Sequence, residues 1–139
     1  MIISFFFPEN KTSLKDRAKL KSFIQVLFKE EGFKLKSLTY IFCSDEYLLN
    51  LNQQFLKHNY YTDILTFDFS TSKEKEGEIY ISTERVKENA QKLDISFNNE
   101  LHRVIFHGAL HLCGYRDKSK KDITEMRSAE DKYLRLYFS

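Results

Sequence analysis

Two short apolar stretches, Ile2-Ile-Ser-Phe-Phe-Phe7 and Leu38-Thr-Tyr-Ile-Phe-Cys43, decide the fold, because a helical period separates them. Both are rich in aromatic and β-branched residues, as strands are. Between them Leu14, Ala18, Phe23, Ile24, Leu27 and Phe28 recur at helical spacing, and Gly32 is suited to stop that helix. Thr12 or Ser13 stands where a cap is needed at its start. A strand, helix, strand unit of this kind closes as a right-handed parallel crossover, so two parallel strands are expected at the centre.

Outward from this unit, Ser44 and Asp45 are placed to cap a second helix running through Phe55. Ile64 to Phe69 and Glu78 to Ser82 read as short strands that pair as neighbours across the charged loop Ser72 to Gly77. Helical periods return at Thr83 to Leu93, at Phe97 to Cys113 and at Asp122 to Phe138. On the last of these, Ile123, Met126, Tyr133, Leu134 and Tyr137 mark the face expected to be buried. The expectation is one α+β domain over residues 1–139, a small mixed sheet of about four strands covered by helices.

Composition agrees. With 139 residues, 42% hydrophobic and 30% charged, the chain matches a single soluble domain and excludes collagen-like, disordered and membrane-spanning classes. The apolar opening Met1 to Phe7 stops at Pro8 without a basic leader, so we expect no secretory signal, no membrane partner and a cytoplasmic location. Cys43 and Cys113 form no CxxC pair, which suits a reducing compartment, and neither is expected to act as a nucleophile. The net charge of +2 is too even to announce a nucleic-acid partner. Basic residues nevertheless gather at Lys11, Lys15, Arg17, Lys19 and Lys21, and again at Arg116, Lys118, Lys120 and Lys121.

The chemistry concentrates in His107-Gly-Ala-Leu-His111-Leu-Cys-Gly114-Tyr115-Arg116-Asp117. Residues four apart share a helix face, so the His107 and His111 imidazoles can converge on one ion. Leu101, Val104, Ile105, Gly108 and Leu112 form the stripe that faces the core, leaving the two histidines on its flank. Gly114 is suited to end the helix in the left-handed conformation, which lets Asp117 swing toward the same ion. Two imidazoles and a carboxylate with an open fourth position are the ligand count of a catalytic zinc site at the end of a helix, where the ion would activate a water for hydrolysis. Other divalent metals, including Fe(II), suit the same donors. A metalloprotease would carry Glu directly after the first His, where Gly108 stands, so peptide hydrolysis is disfavoured. By helical phase His102 points away from the pair and reads as a surface or packing residue. Glu100 lies too far down the axis to ligate, and serves either to anchor the site's surroundings or to favour the helix dipole.

With this segment the chain resembles the YbeY family of metal-dependent endoribonucleases, whose pattern HGxLHLxGYDH it follows in order and spacing. Further matches are Leu51-Asn52, Thr62 to Phe67, Gly77 to Ser82, and Met126. The resemblance implies a single-strand-specific endoribonuclease that acts in 16S ribosomal RNA 3′-end maturation and ribosome quality control, with the small ribosomal subunit or its proteins as partner. Two departures from the pattern matter. Asp117 replaces the family's third His; it keeps a ligand type but cancels one unit of the ion's charge, so a bound water should be less acidic. Leu56 replaces an arginine expected to contact RNA phosphates, leaving Lys57, His58, Arg116 and Lys118 as candidates for substrate binding. Tyr60 and Tyr61 suit either packing or stacking on unpaired bases. Two other classes fit the same residues: a non-catalytic ribosome assembly factor stabilised by its metal, and a metal-dependent hydrolase of another substrate.

Overall fold

The computed structural model describes residues 2–9, 14–57 and 62–139. Strand β1 (Ile3–Phe6), helix α1 (Arg17–Glu30) and strand β2 (Leu35–Cys43) form the expected parallel unit, with Phe5 level with Tyr40. Helix α2 (Asp45–Leu56), strands β3 (Ile64–Asp68) and β4 (Lys75–Ser82), and helices α3 (Thr83–Leu93), α4 (Phe97–Leu112) and α5 (Lys120–Phe138) complete the α+β domain. The strand order is β1-β2-β4-β3, parallel except for β3, which runs antiparallel to β4 at the edge.

Strand alternation gives the sheet two apolar faces. Ile3, Leu38, Tyr40, Phe42, Ile79 and Ile81 pack with α1, α4 and α5 in the main core, while Cys43, Leu65 and the half-buried Tyr80 pack with Leu48 of α2. Inside the main core the Tyr40 hydroxyl donates to the Ile105 carbonyl at 2.8 Å, so a buried polar atom ties β2 to α4. Both cysteines are buried, and burial pushes each thiol up to about 12, away from nucleophilic reactivity.

Several boundaries differ from expectation. β2 and β4 begin earlier than predicted because Leu35 and Lys75 pair across the parallel ladder, which extends the strand into the predicted charged loop. α1 begins at Arg17, so Leu14 is buried just ahead of the helix, and Ala18 is exposed. Asp16, in the left-handed conformation, occupies the cap position, whereas the predicted caps Thr12 and Ser13, like Lys11, lie outside the described residues. α5 starts at Lys120 because Ser119 and Asp122 close a capping box. Ile123 is exposed rather than buried, since α5 turns that position toward a cleft. Among the described residues no helix is long and apolar enough to cross a membrane.

The site-bearing helix lies on the sheet by virtue of one missing side chain. A Cβ at Gly108 would sit 2.8 and 2.9 Å from Ile79 atoms and 3.1 Å from Ile64. Gly108→Ala should therefore lower stability by about 1–3 kcal/mol through overpacking, read as a lower denaturant midpoint with an unchanged slope.

Candidate metal centre

α4 begins where the Ser96 hydroxyl accepts from the Asn99 amide, and its apolar stripe holds it against the sheet. His107 and His111 stand one turn apart on its flank, with ring centroids 4.6 Å apart. Gly114 ends the helix at φ 99°, and the Tyr115 amide folds back onto the Leu110 carbonyl at 3.0 Å. The reversed chain carries Asp117 back over the helix end, placing its Oδ2 3.4 Å from Nε2 of both histidines. The turn is pinned from α1: the Tyr115 hydroxyl donates to Glu31 at 3.0 Å, and Tyr133 of α5 donates to the same carboxylate.

These atoms fit a metal. Donors bound at 2.0–2.2 Å in tetrahedral geometry lie roughly 3.3–3.6 Å from one another, and the imidazole–carboxylate separations fall in that range. The three residues offer donor atoms within 4.8 Å of each other, so the cluster could hold a metal ion. The proton positions agree. His107 Nδ1 faces Glu130 Oε2 at 2.6 Å and His111 Nδ1 faces the Tyr115 carbonyl at 3.0 Å. Both partners are acceptors, so each Nδ1 carries a hydrogen, and Nε2, on the Asp117 side, is the ring atom left to give its lone pair to an ion.

Charge around His107 favours its protonated form when no ion is bound. Burial opposes the imidazolium, but the Glu130 hydrogen bond and the carboxylates of Glu130, Asp117 and Asp63 outweigh it and raise the pKa. Burial raises the Asp63 carboxyl above the ordinary aspartate range, and does the same for Glu100.

The cluster opens on a cleft of about 720 Å³ between β3, α4 and α5. Its lining includes Leu56, Asp63, Glu100, Arg103, His107, His111, Asp117, Ile123, Met126, Arg127 and Glu130. The three predicted ligands are thus brought together. Lys57, Arg116 and Lys118 are exposed and do not line the cleft, while His58, Tyr60 and Tyr61 lie outside the described residues. His102 is buried and stacks on Tyr137 at 5.1 Å, a packing residue as its helical phase implied. Sequence reasoning missed Glu130, Asp63, Arg103 and Arg127. For Glu130 a signal existed: it falls on the buried face of α5 with Met126, Tyr133 and Tyr137, an acid inside an apolar stripe.

Comparison with known proteins agrees with this geometry. The family model described as Endoribonuclease YbeY matches residues 7–137. Endoribonuclease YbeY of Cytophaga hutchinsonii is 49% identical over 135 residues, covering 96% of this chain and 94% of that protein. Endoribonuclease YbeY of Porphyromonas gingivalis is 52% identical over 103 residues, 74% of this chain and 68% of its own. The solution structure of a Thermotoga maritima protein superposes with a TM-score of 0.67 at 30% identity, covering 98% of this chain and 89% of that one. With its model matched over almost the whole chain and near-full-length relatives at such identity, the chain belongs to the YbeY family.

Proposed function

We propose that this protein is a zinc-dependent endoribonuclease that hydrolyses single-stranded RNA and acts in the cytoplasm on the 3′ end of 16S ribosomal RNA, in its maturation and in ribosome quality control. The observation that supports the reading best is the donor triangle of His107, His111 and Asp117 at the wall of an open cleft. Three protein donors leave a coordination position for chemistry, whereas closed structural zinc sites take four. The names of the relatives supply RNA as the substrate class, and the small-subunit role and ribosomal partner follow the sequence resemblance.

When bound there, zinc would acidify a water and polarise a phosphoryl oxygen. The chain's own residues prepare that chemistry. Glu130 and the Tyr115 carbonyl fix both imidazole planes before substrate arrives, so little reorganisation remains at the moment of reaction. Asp117 brings a negative donor, which cancels one unit of a dication's charge and so leaves less to acidify water. Leu56, Ile64 and Met126 give the cleft apolar walls beside its charged groups.

The test is cleavage of structured and unstructured RNA by metal-free and zinc-restored protein. Only the restored protein should cut, and only unpaired RNA. Restored protein that gains thermal stability with zinc yet cuts nothing would make the metal purely structural, and cleavage of a different substrate class alone would refute the RNA assignment. Cells lacking the protein should accumulate 16S RNA with an extended 3′ end.

A further inference from the structure

Among the described residues, five carboxylates line the cleft, from Asp63, Asp68, Glu100, Asp117 and Glu130, against two guanidinium groups, from Arg103 and Arg127. A phosphate backbone entering this cleft needs a cation able to meet it in addition to any bound ion. Arg103 is committed elsewhere: its side chain is only 18% exposed, with Nη1 on Glu130 at 3.0 Å and Nη2 on Asp131 at 2.9 Å. Arg127 differs. Its side chain is 58% exposed, and its Nη1 lies 3.4 Å from the same Glu130 oxygen, an anchor that leaves most of the fork facing water.

One helical turn before Arg127, Ile123 lines the same cleft with half its surface exposed. A large apolar side chain in water beside a tethered guanidinium matches the alternation of a nucleic-acid strand, in which a charged phosphate follows each apolar base and sugar. Leu56, on the cleft wall formed by α2, brings no charge. We propose that Arg127 grips a backbone phosphate of single-stranded RNA in the cleft, while Ile123 covers the adjoining base or ribose. This rests on the RNA-cleaving reading and adds a substrate contact on α5. A guanidinium suits the role because its planar fork meets two phosphate oxygens at once, and the Glu130 contact keeps it extended along the cleft wall.

The test uses zinc-loaded protein and a labelled single-stranded 2′-O-methyl oligonucleotide as the probe, titrated at several salt concentrations. Arg127→Gln should weaken binding about fivefold to tenfold and lower the slope of log affinity against log salt by about 0.7, the value for one lost single-strand phosphate contact. Arg127→Lys should restore the slope and part of the affinity. Zinc content and melting temperature should match wild type. An unchanged affinity and slope for Arg127→Gln would overturn the proposal, as would a loss of bound zinc or of thermal stability that accounts for the weaker binding. If zinc-loaded wild type itself binds no single-stranded probe, the RNA-cleaving reading falls and this proposal falls with it, an outcome distinct because the variant is not needed to see it.

Discussion

Glu130→Ala should destabilise the metal-free protein by about 3 kcal/mol and weaken zinc binding 10–100-fold. Glu130 is 3% exposed, yet its two oxygens serve three partners: His107 Nδ1 at 2.6 Å, Arg103 at 3.0 Å and Arg127 at 3.4 Å. Removing it strands the largely buried Arg103 guanidinium, and breaking a buried pair costs about 3–5 kcal/mol. The lower end applies here because Asp131 still holds Nη2. The metal effect has a separate cause. Without Glu130 the His107 ring loses the acceptor that fixes its tautomer and plane, so its Nε2 is no longer held toward Asp117. Glu130→Gln keeps the volume and one acceptor oxygen, and should lose metal affinity with a smaller loss of stability.

The pH dependence gives this prediction a sign. The folded pKa of His107 is raised, so the stability it contributes is complete below the unfolded imidazole value and disappears as pH rises through the folded value. Glu130 is a principal cause of the rise. The stability gap between metal-free wild type and Glu130→Ala should therefore narrow from pH 6 to pH 8, measured by urea denaturation with chelator present. A gap that widens with pH would show that the His107–Glu130 pair does not behave as a charged pair. Zinc must displace the same proton, so wild-type affinity should climb over that interval.

Local spacing made the clustering of His107, His111 and Asp117 legible. His107, His111, Gly114 and Asp117 lie within three helical turns of sequence, so helix geometry and one terminating glycine relate them without knowledge of the fold. The first parallel unit was legible for the same reason, being set by period and length alone. What escaped depends on packing between distant segments. Glu130 reaches His107 only because α5 lies against α4, and Lys75 is a strand residue only because Leu35 pairs with it. A charged run such as Lys-Glu-Gly-Glu has no strand period of its own, and the neighbouring backbone imposes one. Ile123 misled because apolar character at helical spacing predicts burial, while a cleft keeps part of that face open to water. The cationic residues followed the same logic: Lys57, Arg116 and Lys118 stand out in the sequence, but the cleft is lined by Arg103 and Arg127.

His111→Ala should abolish stoichiometric zinc and reduce RNA cleavage by well over 100-fold, because losing an outer partner of a ligating imidazole already costs 10–100-fold and here the donor itself is lost. Stability of the metal-free protein should change little, since the His111 side chain is 26% exposed, with a hydrogen bond to the Tyr115 carbonyl at the helix end and a contact with the exposed Asp117. His102 supplies the converse on the same helix. Its ring is 1% exposed, lies among Tyr137, Phe106 and Phe138, and its Nδ1 donates to the Asn98 carbonyl at 2.7 Å. His102→Ala should cost about 2 kcal/mol or more through the cavity it leaves among the aromatic rings, while the folded fraction keeps its metal and its cleavage rate. Zinc content by elemental analysis, cleavage per folded molecule and denaturant midpoint, read on both variants, decide the matter. If His111→Ala keeps its zinc, Asp117 and His107 must bind it with another donor and the triangle is wrong. If it loses zinc but cleaves at the wild-type rate, the metal serves the turn after Gly114 rather than the reaction. If the helix uses one histidine for packing and two to hold an ion, the two variants should give these opposite responses, because the stripe facing the sheet and the flank facing the cleft are separated by helical phase alone.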